Sequence, residues 1–200
     1  MSSEWIVPPG LGMVVILSGP SGVGKTTVSL RLLDLGLALR RVVTTTTRAA
    51  RPGEVCRVDY HFFSDPEFDQ ALAQGEFLES AMVHGKRYGT RWSSLCEAAQ
   101  GGYGVLLVID VMGAQQARKL LPKTHAIFLL PPSEEALVER IHKRQSETEE
   151  SLQRRLKTAQ GEIPLANSYD FSVVNENLDQ TVTLLGNHLR ELLEQESVSR

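Results

Sequence analysis

Apolar positions along the chain follow two alternating patterns. Runs at Met13 to Leu17, Val105 to Ile109, Ala126 to Leu130 and Phe171 to Val174 predict strands. The unbroken Val105 to Ile109 run is that of a parallel strand buried on both faces. Arg41 to Thr45 reads as a further short β-branched strand. Between the strands helical spacing takes over. Val28, Leu30, Leu32, Leu33 and Leu35 fill a helix interrupted at Gly36, giving a βαβ opening. A helix from about Gly113 follows the Val105 run, and Leu178, Val182, Leu185, Leu189 and Leu192 draw one apolar stripe along a final amphipathic helix.

Punctuation agrees with the pattern. Ser64-Asp65-Pro66-Glu67 is a capping sequence with proline in the first turn, opening a helix with Phe68, Ala71 and Leu72 that ends at Gly75. Pro131-Pro132-Ser133 caps a helix through Arg144, and Ser146-Glu147-Thr148-Glu149 starts another with Leu152, Leu156 and Ala159. Two helices thus meet at a polar hinge. Between Arg48 and Thr90, extended pieces at Tyr60 to Phe63 and Phe77 to Val83 break the strand-helix rhythm, so this stretch reads as a mostly β insertion forming a separate lobe.

Composition narrows the class. At 200 residues, 42% hydrophobic and 22% charged, the chain suits one soluble domain with a core that needs no metal or disulfide. A formal charge of −3 gives no global attraction to nucleic acid or an anionic membrane, so basic sites must be local. Cys56 and Cys96 are too few for a disulfide framework and lack metal-ligand spacing. The start, with Glu4, Trp5, Pro8 and Pro9, has no signal-peptide pattern, and no apolar run approaches the ~20 residues of a membrane span. The expectation is a cytoplasmic protein that binds neither nucleic acid nor membrane. Its oligomeric state stays open between monomer and homodimer.

The candidate chemistry begins after the first strand. Gly19-Pro20-Ser21-Gly22-Val23-Gly24-Lys25-Thr26 satisfies GxxxxGK[ST] between a strand and a helix. Its glycines let backbone N–H groups converge on a phosphate, Lys25 reaches the terminal phosphates, and Thr26 offers a hydroxyl to Mg²⁺. A nucleoside triphosphate is the expected ligand. Asp110 ends a buried strand, where it serves either as a carboxylate for Mg²⁺, through water, or as an N-cap for the helix that follows. Arg48 and Arg51 flank a Pro52-Gly53 turn and can fork onto one phosphate, although loop arginines are more often simply solvated. Arg140 and Arg144 share a helix face, and Arg155 lies across the polar hinge, where a lid could bring it in. His61, His84, His125, His142 and His188 share no ligand spacing.

These segments together resemble the guanylate kinase family from Met13 to about Leu193. The resemblance rests on Ser18 to Thr26, Thr46-Thr47-Arg48 with Arg51-Pro52-Gly53-Glu54, Asp59-Tyr60, Phe77-Leu78-Glu79, Tyr88-Gly89-Thr90, Ile109-Asp110, Gly113-Ala114-Gln115, Leu130 to Ser133 and Val174-Asn175. It implies an α/β fold: a P-loop NTPase-type parallel sheet core with helices on both faces, a small β-rich nucleoside-monophosphate-binding insertion and a helical lid. The corresponding boundaries are core at 1–45, 93–138 and 166–200, insertion at 46–92 and lid at 139–165. The implied reaction is Mg²⁺- and ATP-dependent phosphorylation of GMP, and of dGMP, by direct in-line transfer. ATP would meet the phosphate loop with Thr27 and Asn175. Arg48, Arg51, Tyr60 and Tyr88 would hold the GMP phosphate, while Thr44, Glu79 and Thr90 read the base. Lys25, Arg51, Arg140, Arg144 and Arg155 would stabilise the transferring phosphoryl group, with Thr26 and Asp110 managing Mg²⁺. Guanine's N1–H and N2 amino group are adjacent donors that one carboxylate such as Glu79 can accept together, whereas adenine presents an acceptor at N1.

Four positions depart from the family pattern. Val108 replaces the first acid of Asp-x-Asp, Met112 a glutamine, Gln145 the glycine after the second lid arginine, and Arg57 a glycine before Asp-Tyr. Losing one charged acceptor for guanine would cost about 1.5–3 kcal/mol. Two alternatives therefore stand beside the GMP reading: a kinase of another nucleotide or a sugar phosphate, and a non-catalytic interaction module of the same fold.

Overall fold

Five parallel strands form the central sheet, in the order β2 (Leu39–Arg41), β7 (Gly104–Val108), β1 (Val14–Ser18), β8 (Thr124–Leu130), β9 (Phe171–Val174). The computed structural model describes residues 7, 11–121, 123–142 and 149–198. Central β1 buries all five of its residues because helices cover both faces of the sheet. On one face Val15, Leu17, Leu106 and Ile127 pack against Val28 and Leu32 of α1 (Lys25–Leu33) and Val182, Leu185 and Leu189 of α7 (Leu178–Val198). On the other, Val14, Ile16, Val105 and Leu107 pack against Trp92 and Leu95 of α3 (Trp92–Ala99) and Ala114 and Ala117 of α4 (Val111–Leu120). The α/β core is therefore the one its apolar runs predict.

The strand expected at Arg41 to Thr45 is divided. β2 ends at Arg41 in the central sheet, and β3 (Thr45–Thr46) belongs to a second, four-stranded sheet ordered β4 (His61–Phe62), β3, β6 (Lys86–Arg91), β5 (Phe77–Val83). Residues between them carry the chain from core to insertion, and β propensity alone cannot show that change of sheet. β6 escapes the apolar pattern because Lys86, Arg87, Tyr88, Gly89, Thr90 and Arg91 contain little of it. Antiparallel pairing with β5 makes it a strand. The capping sequence at Ser64 does what it predicts for α2 (Asp65–Ala73): the Ser64 hydroxyl accepts from the Glu67 N–H, while Glu67 Oε2 accepts from the Ser64 N–H at 2.7 Å. Phe68 of α2 stacks on Phe77 of β5, with 4.4 Å between ring centroids, joining helix to sheet.

The final part of the insertion-to-core path is α3, also unmarked by the sequence reading. Across the sheet, α5 (Glu134–His142) and α6 (Glu149–Glu162) share a small apolar cluster of Leu137, Ile141, Leu152, Leu156 and Ala159. A 3-10 turn, Ile163–Ser168, then leads back to β9. Arg144, Gln145 and the capping residues Ser146, Glu147 and Thr148 lie outside the described residues, as do Glu4, Trp5, Pro8 and Pro9. Among the described residues no helix is long and apolar enough to cross a membrane.

Candidate active site

The C-terminal ends of β1, β7 and β8 converge, which is where open parallel sheets place their ligands. β1 runs into the phosphate loop. Gly19 and Gly24 adopt φ of 136° and 105°, and an added Cβ would lie 2.4 Å from the Leu129 carbonyl oxygen and 2.7 Å from Asn175 Nδ2 respectively. Glycine is thus required twice over, by conformation and by space. Gly24 caps α1 in the left-handed region, so the free N–H groups of the first turn open toward the loop, a cradle suited to phosphate. Lys25 Nζ donates to the carbonyl oxygens of Gly19 at 2.5 Å and Pro20 at 3.1 Å, holding the ammonium over that cradle. Thr26 and Thr27 are exposed on the first turn, while Val23 is fully buried behind it.

The loop is braced from below. Asn175 is buried and donates its Nδ2 to the Val23 carbonyl at 2.8 Å, while Arg140 donates to the same carbonyl at 3.3 Å and to the Asn175 carbonyl at 2.8 Å. A Cβ on Gly22 would come within 2.8 Å of Ile141 Cγ1, so α5 lies directly on the loop. Arg155 is half-buried on α6. The positions of Arg140 and Asn175 are those of loop supports, and Arg144 falls outside the described residues.

Of the two roles raised for it from the sequence, Asp110 takes the helix cap. It sits at the end of β7 and caps α4, its Oδ1 accepting from the N–H groups of Met112 at 2.8 Å and Gly113 at 3.0 Å. This cap starts α4 at Val111, two residues before the expected start.

In the insertion, Glu79 of β5 and Thr90 of β6 are cross-strand partners, both buried, and Thr90 Oγ1 donates to Glu79 Oε1 at 2.6 Å. Burial pushes the Glu79 carboxyl up to about 7; the Thr90 hydrogen bond opposes this and the charge of Asp110 adds to it. On α4, a Cβ at Gly113 would stand 2.5 Å from Glu79 Oε2, so any larger residue there would force the carboxylate to move. Thr44 is buried at the mouth of the same sheet. Val108 packs on the α1 and α7 side of the core, whereas Leu78 and Ile109 belong to the α4 side.

Arg48, Tyr60 and Tyr88 are also gathered. The Arg48 guanidinium lies 5.4 Å from the Tyr60 ring centroid, and the two tyrosine rings meet edge-on at 6.2 Å. Arg51 stands exposed at the loop beside them. Their organiser is Glu54, a residue given no separate role in the sequence reading. Its Oε1 accepts from Arg48 at 2.8 Å and its Oε2 from the Arg51 N–H at 2.7 Å. Burial works against the ionised Glu54, yet those hydrogen bonds hold its carboxyl below the usual range. Its place three residues after Arg51, closing a Pro-Gly turn, was the available signal.

A model of the guanylate kinase family matches residues 12–196. The chain belongs to the guanylate kinase family. It is 44% identical over 171 residues to a guanylate kinase of Trichormus variabilis, covering 86% of each chain, and 45% identical over 169 residues to one of Neisseria gonorrhoeae, covering 84% of this chain and 82% of that one. Its structure resembles the crystal structure of guanylate kinase from Anaplasma phagocytophilum with a TM-score of 0.76 at 35% identity, over 92% of this chain and 87% of the other. A guanylate kinase core also brings one acid to the phosphate loop that spacing did not single out. Glu162, the last residue of α6, is pushed up by burial, with Lys25 drawing it down and Asp110 pushing it further up. Only the return of α6 to the core puts it there, and no local motif marks it.

Proposed function

We infer that the protein transfers the γ-phosphoryl group of ATP to GMP, giving ADP and GDP, and accepts dGMP likewise. The buried Glu79–Thr90 pair carries the choice of acceptor. As a carboxylate, Glu79 can accept from both N1–H and the N2 amino group of guanine, and Thr90 keeps the carboxylate aligned. Adenine would set its N1 lone pair against that charge, and such a mismatch is worth up to roughly 10⁴-fold in discrimination. Thr44 completes the base pocket. Arg48 and Arg51, with Tyr60 and Tyr88, hold the GMP phosphate so that one of its oxygens faces the γ-phosphorus in line.

No protein nucleophile is needed. The GMP oxygen forms the new P–O bond as the bond to the β,γ-bridging oxygen breaks and ADP leaves, so positioning and charge neutralisation supply the catalysis. Lys25, held over the loop by two carbonyls, binds the β and γ oxygens. Arg140, Arg144 and Arg155 supply positive charge as the lid excludes water, and Asn175 braces the loop on the adenine side. The donors fit Mg²⁺: Thr26 presents an exposed hydroxyl and Asp110 a carboxylate, and among the described residues no trio of His, Cys, Asp or Glu forms a protein cage. When bound, Mg²⁺ would be held by Thr26 and, through water, by Asp110, and would supply positive charge against the triphosphate. A cytoplasmic setting is part of this proposal, supported by two free cysteines.

The deciding experiment is ADP release measured with GMP, dGMP, AMP, UMP, CMP and ribose 5-phosphate. Preference for GMP and dGMP is expected, and its absence overturns the acceptor assignment. Lys25→Ala should lower turnover by on the order of 10²–10³-fold.

A further inference from the structure

Between the small sheet, β2 and α3 lies a cavity of ≈ 660 Å³, a volume typical of small-ligand sites. Sequence neighbours divide between the two sites: Thr44, Tyr60 and Thr90 belong to the acceptor site, while Val43, His61 and Arg91 line the cavity. Its walls come from core and insertion alike, with Arg40 and Arg41 of β2 and Ser94 of α3 facing Arg57 and His61.

The lining is basic in a chain of net charge −3: Arg40, Arg41, Arg57 and Arg91 stand against Glu67 and Glu97. Glu67 is already engaged in the cap of α2. Two further features point to a ligand. Arg91 has its Nε buried with no hydrogen-bond partner among the described residues, while its Nη1 makes a long ion pair of 3.8 Å with Glu76 and its guanidinium lies 5.2 Å from the Phe63 ring centroid. Arg57, which also lines the cavity, holds φ at 67°, a left-handed conformation in which glycine would serve the backbone better. The fields of these two arginines meet at His61, whose imidazole pKa is lowered by burial first, then by Arg91 and Arg57, with Glu97 opposing. Its Nε2 lies 3.4 Å from Ser94 Oγ.

We propose that this cavity binds a diphosphate group, gripped by the guanidinium groups of Arg57 and Arg91, while Arg41, whose Nη2 already donates to the Val58 and Asp59 carbonyls, adds positive charge to the wall, and that the bound anion acts on GMP affinity by linking insertion to core. Guanidinium pairs match phosphate oxygens in geometry as well as charge. The group comes either as free pyrophosphate or as the tail of a nucleotide.

The test is calorimetric titration of inorganic pyrophosphate, and separately of GDP, into protein whose two substrate sites are filled with GMP and a non-hydrolysable ATP analogue. GMP binding is measured first, so failure of the acceptor reading is seen on its own. One additional equivalent should bind, about tenfold or more weakly in Arg57→Gly, a variant whose melting temperature should not fall because it relieves the left-handed strain. Arg91→Gln should weaken it similarly. Pyrophosphate should also shift the KM for GMP and not that for ATP, and Arg57→Gly should abolish the shift. Tighter binding of GDP than of pyrophosphate assigns the nucleotide tail; equal or weaker binding assigns the free anion. No further equivalent at millimolar pyrophosphate, or equal affinity in wild type and both variants, overturns the proposal.

Discussion

Glu79 is where burial and specificity oppose each other. Its carboxyl is raised from an ordinary value near 4.5 to about 7, and a raised acid stabilises the fold below its unfolded value and loses that contribution as pH rises through about 7. The proposed contact with guanine needs the ionised form. The KM for GMP should therefore be flat above pH 7 and rise about tenfold per unit below it, with the KM for ATP unchanged, in steady-state profiles. Thr90→Val removes the hydrogen bond that lowers the carboxyl and should move the midpoint upward. Glu79→Gln should lower kcat/KM for GMP by roughly 10- to 10²-fold, the worth of one charged hydrogen bond. The same variant should melt at a higher temperature at pH 8, since an amide escapes the desolvation that a buried carboxylate bears.

Elements place these residues within fractions of an ångström. α4 approaches β5 so closely that Gly113→Ala would put a methyl 2.5 Å from Glu79 Oε2. Kinetics should show a raised KM for GMP with ATP binding intact, because the Asp110 cap and the phosphate loop stay in place. α2 answers to local rules instead: Ser64→Ala removes a cap worth about 1 kcal/mol and should lower the melting temperature by roughly 2–4 °C. The contrast explains what could be read in advance. The α2 cap and the turn around Pro52-Gly53 are contained in a few adjacent residues, so their chemistry is visible in the chain. β6 and α3 are not, because β6 becomes a strand only through its pairing with β5, and Glu162 reaches Lys25 only after α6 folds back.

At the scale of the whole molecule, two elements far apart in sequence meet through His125 and His188, whose Nε2 atoms lie 2.8 Å apart while Phe171 stacks on His188. Burial lowers His125, as do His188 and Arg118, against the opposing pull of Asp170. A folded value below the unfolded one means stability present above about pH 6.5 and lost as pH falls. Thermal melts from pH 7 to pH 5 should show this decline, and His188→Gln should flatten it.

By itself the sequence determined the donor half of this protein. The eight residues from Gly19 to Thr26 carry their own conformational demands, φ values only glycine takes easily and N–H groups left open at a helix start, and these need no distant partner to be recognised. It also determined the layered core, because burial on two faces imposes unbroken apolar runs. Tertiary structure decided what the proposed acceptor half rests on: the depth of Glu79, its close approach to Gly113 and the arginine-lined cavity. Desolvation and charge coupling depend on what surrounds a side chain in space, and that is set by contacts between segments that the chain order keeps apart.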